Sequence, residues 1–231
     1  MFISSWYPNR NNPTHGIFNR YFAEAASLFN KVSVLHVCSD ENVYSDFEIE
    51  EDDQKIFTVT VYYKKVRSKF PFFSSILKHN RFIQAFQLGF KKIKEKSPTI
   101  DLIHLNVVMP AGIGALHLSR KYNIPYVVNE NWSGYCIEDK AYKGLFQKYF
   151  TKKIISNAKV IMPTSEFLKR AMLSHHLVGN YQVVPNVVDT NIFVALENIQ
   201  TEKIKFIHIS SLVEREKNVS GIIRAFSNAL M

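Results

Sequence analysis

Short apolar runs alternate with stretches of helical periodicity along most of this chain, and that alternation leaves few folds open. Phe2 to Ser5, Val32 to Val37, Phe57 to Tyr63, Asp101 to Asn106, Pro125 to Val128 and Val160 to Pro163 read as strands. They are rich in the β-branched and aromatic residues that suit a pleated surface. After the first run, Ile17, Phe18, Tyr21, Phe22, Ala25 and Leu28 recur at helical spacing. Phe82, Ile83, Phe86, Phe90 and Ile93 do the same within a long helix expected from Ser75 to Lys96. Further helices are expected from Pro110, from Lys140 to Asn157 and from Thr164 or Ser165, where Ser165 reads as an N-cap. Strands and helices in this order predict an α/β fold with a doubly wound parallel sheet, whose loops over the carboxyl edge hold ligands. The acidic run from Asp46 to Asp53 is expected as a loop between the second and third strands.

The alternation is interrupted once. In Val183-Val184-Pro185-Asn186-Val187-Val188-Asp189-Thr190-Asn191-Ile192-Phe193 an apolar run meets Pro-Asn and then Asp, which marks a corner. A new strand is expected from Ile204 to Ile209, running on to Leu212, with a helix through Val219, Ile222, Ile223 and Phe226. The reading is therefore a first domain over 1–190, a linker over 191–203, and one strand and helix of a second domain over 204–231. A lone strand and helix cannot bury their apolar faces, so the sequence is expected to be a piece lacking on the order of 100 to 150 residues.

Cys38 and Cys136, far apart among 231 residues, suggest neither a disulfide framework nor a zinc site, and a reducing, cytoplasmic setting follows. The start of the chain lacks a basic segment followed by a long apolar one. No apolar run reaches the roughly 18 to 20 residues of a spanning helix. The net charge of +9 is concentrated between Tyr62 and Lys96, where ten Lys or Arg face one acid, Glu95. Lys64, Lys65, Arg67 and Lys69 stand beside Phe70-Pro71-Phe72-Phe73. Clustered cations with aromatics suit peripheral contact with an anionic membrane on its cytoplasmic face. A solvated basic face, neutralised in part by the acidic run, is the plainer alternative.

Two loops follow strand ends and carry candidate chemistry. Gly16 closes the loop from Pro8 and would let a ligand approach the backbone. Asn129-Glu130-Asn131-Trp132-Ser133-Gly134-Tyr135 brings amides, a carboxylate and aromatics together, a set that pairs with sugar hydroxyls and stacks on pyranose faces. Gly112 and Gly114 lack the third glycine of a dinucleotide fingerprint and are read as letting the helix pack closely on the sheet. His175-His176 has no third ligand and is not read as a metal site.

Five stretches taken in order resemble family 4 glycosyltransferases. These are Ser5-Trp6-Tyr7-Pro8 with Gly16, the Asp101 to Asn106 strand with Pro110-Ala111-Gly112, the Asn129 to Tyr135 cluster, the Pro185-Asn186-Val187-Val188-Asp189 corner with Phe193, and Ser210 to Asn218 with Ile223-Arg224-Ala225-Phe226. The resemblance implies the GT-B arrangement of two Rossmann-like domains, here with the second one truncated. It implies sugar transfer from a nucleotide-sugar donor to a glycan or lipid-linked acceptor in cell-surface polysaccharide synthesis, with retention and without a metal or other cofactor. On that resemblance Glu130 and Asn131 are the catalytic candidates, Gly16, Asn106, Trp132 and Ser165 bind substrate, and Lys217 contacts the donor pyrophosphate. Asn131 and Asn106 stand where relatives have His, Ser211 where they have Arg, and Val187 where they have Gly. The fragment alone is expected to be inactive. A GT-B epimerase or phosphorylating enzyme, an inert relic of a transferase, and a nucleic-acid module using the basic aromatic segment are the alternatives; no nucleic-acid partner is expected.

Overall fold

The computed structural model describes residues 1–66, 71–139, 141–194, 205–210 and 212–229, without the side chains of 71–75, 215 and 216. Two compact units divide between Val188 and Asp189.

The first unit is built on a seven-stranded sheet: β1 (Phe2–Ser4), β2 (Ser33–Ser39), β3 (Phe47–Asp52), β4 (Phe57–Tyr63), β5 (Ile103–Asn106), β6 (Tyr126–Glu130) and β7 (Ile161–Pro163). Their order is β3-β4-β2-β1-β5-β6-β7, parallel except for β3, which pairs antiparallel with β4. The helices are α1 (Ile17–Ser27), α2 (Pro71–Lys96), α3 (Gly112–Tyr122), α4 (Leu145–Asn157) and α5 (Glu166–Ser174). The order reverses direction at β1, so the gap between the carboxyl ends of β1 and β5 is the switch point where such sheets hold ligands.

Alternation along the strands builds the two cores. Phe2 and Val34 pack with Phe22 and Ala23 of α1, whereas their neighbours Ile3 and Leu35 pack with Phe86, Phe90 and Ile93 of α2. Right-handed crossovers account for this division: α1 covers one face, and α2, α3 and α4 cover the other. Phe86, Phe90 and Ile93 are fully buried, each worth roughly 1.5 to 3 kcal/mol of apolar transfer. The two glycines of α3 pack closely, but more against side chains of neighbouring helices than on the sheet. A Cβ at Gly114 would lie 2.3 Å from the Phe86 ring, and one at Gly112 would lie 2.8 Å from Ile154 of α4.

The acidic run corrects an expectation. It forms strand β3 rather than a loop, because Phe47 and Ile49 alternate with Glu48 and Glu50, and the apolar pair packs on the core. The acids then meet part of the basic segment. Arg81 pairs with Asp46 at 2.8 Å, Lys92 with Glu51 at 3.7 Å and Lys96 with Asp53 at 2.5 Å. Arg67, Lys69, Phe70 and the side chains of Phe72 and Phe73 lie outside the described residues.

The second unit holds α6 (Glu214–Lys217) and α7 (Val219–Ala229). Residues 205–210, expected as a strand, carry no ladder pairing, and Phe206 and Ile207 are 74% and 85% exposed. A strand exists only through its hydrogen-bonded neighbour, and none is present among the described residues. Cys38 and Cys136 are both free, and among the described residues no helix is long and apolar enough to cross a membrane.

One buried group makes the fold sensitive to acid. His36 of β2 is buried, its Nδ1 donating to the Ser4 carbonyl at 3.0 Å while Nε2 has no partner among the described residues. Burial pushes its pKa from 6.5 down to about 4. Between those values the unfolded chain takes up a proton that the folded one does not. The contribution is thus complete above pH 6.5 and lost as pH falls toward 4, amounting to about 3 kcal/mol. Melting temperature should drop over that window in the wild type and drop less steeply in His36→Gln; parallel pH profiles would contradict this account.

Candidate functional site

The switch point is held by hydrogen bonds between distant segments. The chain leaves β5 through Val107, whose φ of 61° is unusual for a β-branched residue and costs on the order of 1 to 3 kcal/mol. Three contacts keep it there. The Val107 amide donates to the Asn129 carbonyl at 2.8 Å. The Ser5 hydroxyl donates to the Val107 carbonyl at 2.7 Å and accepts from the Ala111 amide at 2.9 Å. The Val108 amide donates to Glu130 Oε2 at 3.0 Å.

Glu130 ends β6 and is fully buried. Its Oε1 accepts from the amides of Asn131 at 2.8 Å and Trp132 at 2.9 Å, and its Oε2 accepts from Val108 and from the Tyr135 hydroxyl at 3.1 Å. Burial pushes the carboxyl above its ordinary range, while the three amides and the phenol pull the other way. Burial, with the Glu130 charge added, drives Tyr135 well above its ordinary value, so the phenol keeps the proton it donates. Glu130 therefore does not face an open cleft. Its lone pairs are filled from within the protein, and it acts by fixing the turns after β5 and β6, as a positioning residue.

Asn106 and Asn129 lie opposite each other in the β5/β6 register, and the Asn129 amide donates to Asn106 Oδ1 at 3.3 Å. Both are buried, and Asn129 Oδ1 has no partner among the described residues. Asn131, one residue past the strand, is half-buried, and its Nδ2 likewise has none. A buried amide left unpaired costs about 1 to 3 kcal/mol, a penalty that a hydroxyl or carbonyl ligand would remove. The strand ends therefore present amides capable of orienting a polyhydroxylated ligand.

The other expected residues have different duties. Trp132 is half-buried and covers Gly134, its ring 5.0 Å from that of Tyr135 in an edge arrangement. Tyr142 extends the aromatic group, 4.9 Å from Tyr135 and 4.7 Å from His175, whose Nε2 lies 2.8 Å from the Tyr135 carbonyl oxygen. Gly16 caps α1 at φ 64°, packed on the Trp6 carbonyl that also accepts from Ser4 and Asn19. Exposed Ser165 caps α5, its hydroxyl accepting from the Leu168 amide at 3.1 Å. Lys217 ends α6 in the second unit and is exposed. Ser5 and Tyr135 stand inside stretches the sequence offers, but their holding of the turns leaves no local signature, because their partners are set by the fold.

The fold is the Rossmann-like doubly wound sheet of GT-B type. A sucrose-phosphate synthase from Thermosynechococcus elongatus is similar at a TM-score of 0.53 and 17% identity, over 83% of this chain and 49% of that one. A second structure of that synthase gives 0.51 and 18%, over 84% and 92%. The chain thus spans about half the length of the first of these structures. A comparison with curated protein sequences finds no match. The model of Glycosyltransferase Family 4 matches residues 32–192, which take in β2 to β7 and the whole Asn106, Asn129 and Glu130 arrangement. The chain belongs to that glycosyltransferase family.

Proposed function

We propose that this protein transfers a sugar from a nucleotide-sugar donor to a glycan or lipid-linked acceptor in cell-surface polysaccharide synthesis, on the cytoplasmic side of a membrane. In this reading residues 1–190 bind the acceptor, 191–203 link, and 204–231 begin the donor-binding part. The observation that carries it is the pair of unsatisfied amide groups, Asn131 Nδ2 and Asn129 Oδ1, at the carboxyl edge beside the switch point. One donor and one acceptor two residues apart at the end of β6 suit the hydroxyls of a sugar better than a flat or charged ligand. Asn131 orients the acceptor hydroxyl, with Asn106 holding Asn129 in place. Trp132 and Ser165 border the acceptor, and Gly16 keeps the β1 loop close to it. Lys217 offsets the charge that develops on the leaving diphosphate. No cofactor is assigned; the nucleotide sugar is a substrate.

The test is to incubate the protein expressed from its complete reading frame, with membranes as the source of acceptor, against a panel of radiolabelled nucleotide sugars. Label passing from one of them into glycan or lipid is the result expected. Release of free sugar alone, or interconversion of the nucleotide sugar, would place the protein with the hydrolases or epimerases.

A further inference from the structure

The layer formed by α2, α3 and α4 has a charge distribution that the sheet does not neutralise throughout. The C-terminal half of α2 meets the acids of β3 and its flanks. Further from that edge strand, α3 carries Arg120 and Lys121 and no acid, and α4 carries Lys148, Lys152 and Lys153 and no acid. Among the described residues Arg120 contacts the neutral Asn157 side chain, Lys153 the Tyr149 hydroxyl and Lys121 the Tyr122 ring. None of the three forms an ion pair there.

These cations rim an apolar groove. Between the helices lies a cavity of about 410 Å³ with Ile83, Ile113, Leu116 and Phe150 on its floor, and His79, His117, Arg120, Lys121 and Lys153 around it. Nearby, the first turns of α4 expose Leu145 (89%), Phe146 (55%) and Tyr149 (59%). The Phe146 ring lies 4.6 Å from that of Phe150, tilted by 48°, so these residues continue into the groove. Helices in a doubly wound sheet run back against the strands. The first turns of α4 therefore lie toward the carboxyl edge, where Asn131 sits.

Exposed aromatics suit the headgroup boundary of a bilayer, unpaired cations suit its phosphates, and an apolar groove between them suits an acyl chain. We propose that this face docks the protein on an anionic phospholipid bilayer. Leu145, Phe146 and Tyr149 enter the boundary, Arg120, Lys121 and Lys153 meet the phosphates, and one acyl chain lies along the groove. The proposal deepens the functional reading above and rests on it only in placing the acceptor at a membrane. It assigns the contact to the α3 and α4 side of the layer, which the sequence does not single out.

Sedimentation with phosphatidylglycerol vesicles, and with phosphatidylcholine vesicles as the neutral comparison, tests it. The wild type should bind the anionic vesicles and ignore the neutral ones. Arg120→Ser with Lys121→Ser and Lys153→Ser should weaken binding by about a hundredfold. Phe146→Ser with Leu145→Ser should weaken it as well, with unchanged circular dichroism. Removing as many charges on the opposite, α1 side of the sheet, by Arg20→Ser, Lys31→Ser and Lys55→Ser, should leave most of the binding intact. A wild type that ignores both vesicle types, a groove variant that binds as well as the wild type, or an α1-side variant that loses as much would overturn the docking face. Transfer activity is read separately on the same preparations: loss of transfer with vesicle binding retained would count against the transferase reading and leave the docking face standing.

Discussion

Glu130→Ala is expected to destabilise the first unit by about 3 to 5 kcal/mol, read as a fall in the urea midpoint. The reason lies in the donors left behind. Three amides, from Val108, Asn131 and Trp132, and the Tyr135 hydroxyl all point at a fully buried carboxylate. Each would lose its acceptor in a region closed to bulk water, and the unusual backbone of Val107 would lose one of its supports. Glu130→Gln separates the contributions. Its remaining oxygen can still serve the Asn131 and Trp132 amides, and the Tyr135 hydroxyl can turn to accept from the new amide, but the Val108 amide then faces another donor. A smaller loss of about 1 to 3 kcal/mol should follow. If Glu130→Ala kept wild-type stability and lost only transfer, Glu130 would be a reacting group and the positioning role would be wrong.

Gly16→Ala should be the second large loss, about 3 kcal/mol or more in the same denaturation experiment. A non-glycine residue at φ 64° costs on the order of 1 to 2 kcal/mol for its conformation alone. Space adds to that, because the new Cβ would stand 2.3 Å from the Trp6 carbonyl oxygen and 2.7 Å from the Trp6 Cβ. The carbonyl has little freedom to move, being held by Asn19 at 2.7 Å and Ser4 at 2.5 Å. The strain therefore falls on the entry to α1 and on the loop after β1. Gly144→Ala is the comparison: its Cβ would meet open space, so its loss would come from the backbone alone, at φ 92° and ψ 137°.

How far the sequence foretold this molecule depended on whether a feature is local. The β-branched run Phe57 to Tyr63 forms β4 over the residues expected, and the helical face of Phe86, Phe90 and Ile93 is buried as its spacing predicts. The strand β3 was hidden by its charge, since Glu and Asp are poor strand formers and the alternation with Phe47 and Ile49 is only two apolar residues long. The segment 205–210 erred the other way, its apolar alternation being local while a strand requires a neighbour. α4 begins at Leu145 rather than Lys140, after Gly144 in a backbone region that helices do not use. The site divides similarly. A polar cluster after β6 was legible because strand ends at a carboxyl edge are where ligands bind. The burial of Glu130 was not, because it is set by Val108, 22 residues away, and by a turn that Ser5 holds from 102 residues away.

The amides at the end of β6 carry the central claim, and the transfer rate of Asn131→Ala in the labelled-sugar assay tests it most directly. Asn131 Nδ2 is unpaired among the described residues, so its removal should leave the urea midpoint within about 1 kcal/mol of the wild type. Transfer should nevertheless fall more than about tenfold, the loss of one oriented hydrogen bond to the acceptor. Wild-type transfer by a folded Asn131→Ala protein would contradict the account and move the acceptor away from this edge of the sheet.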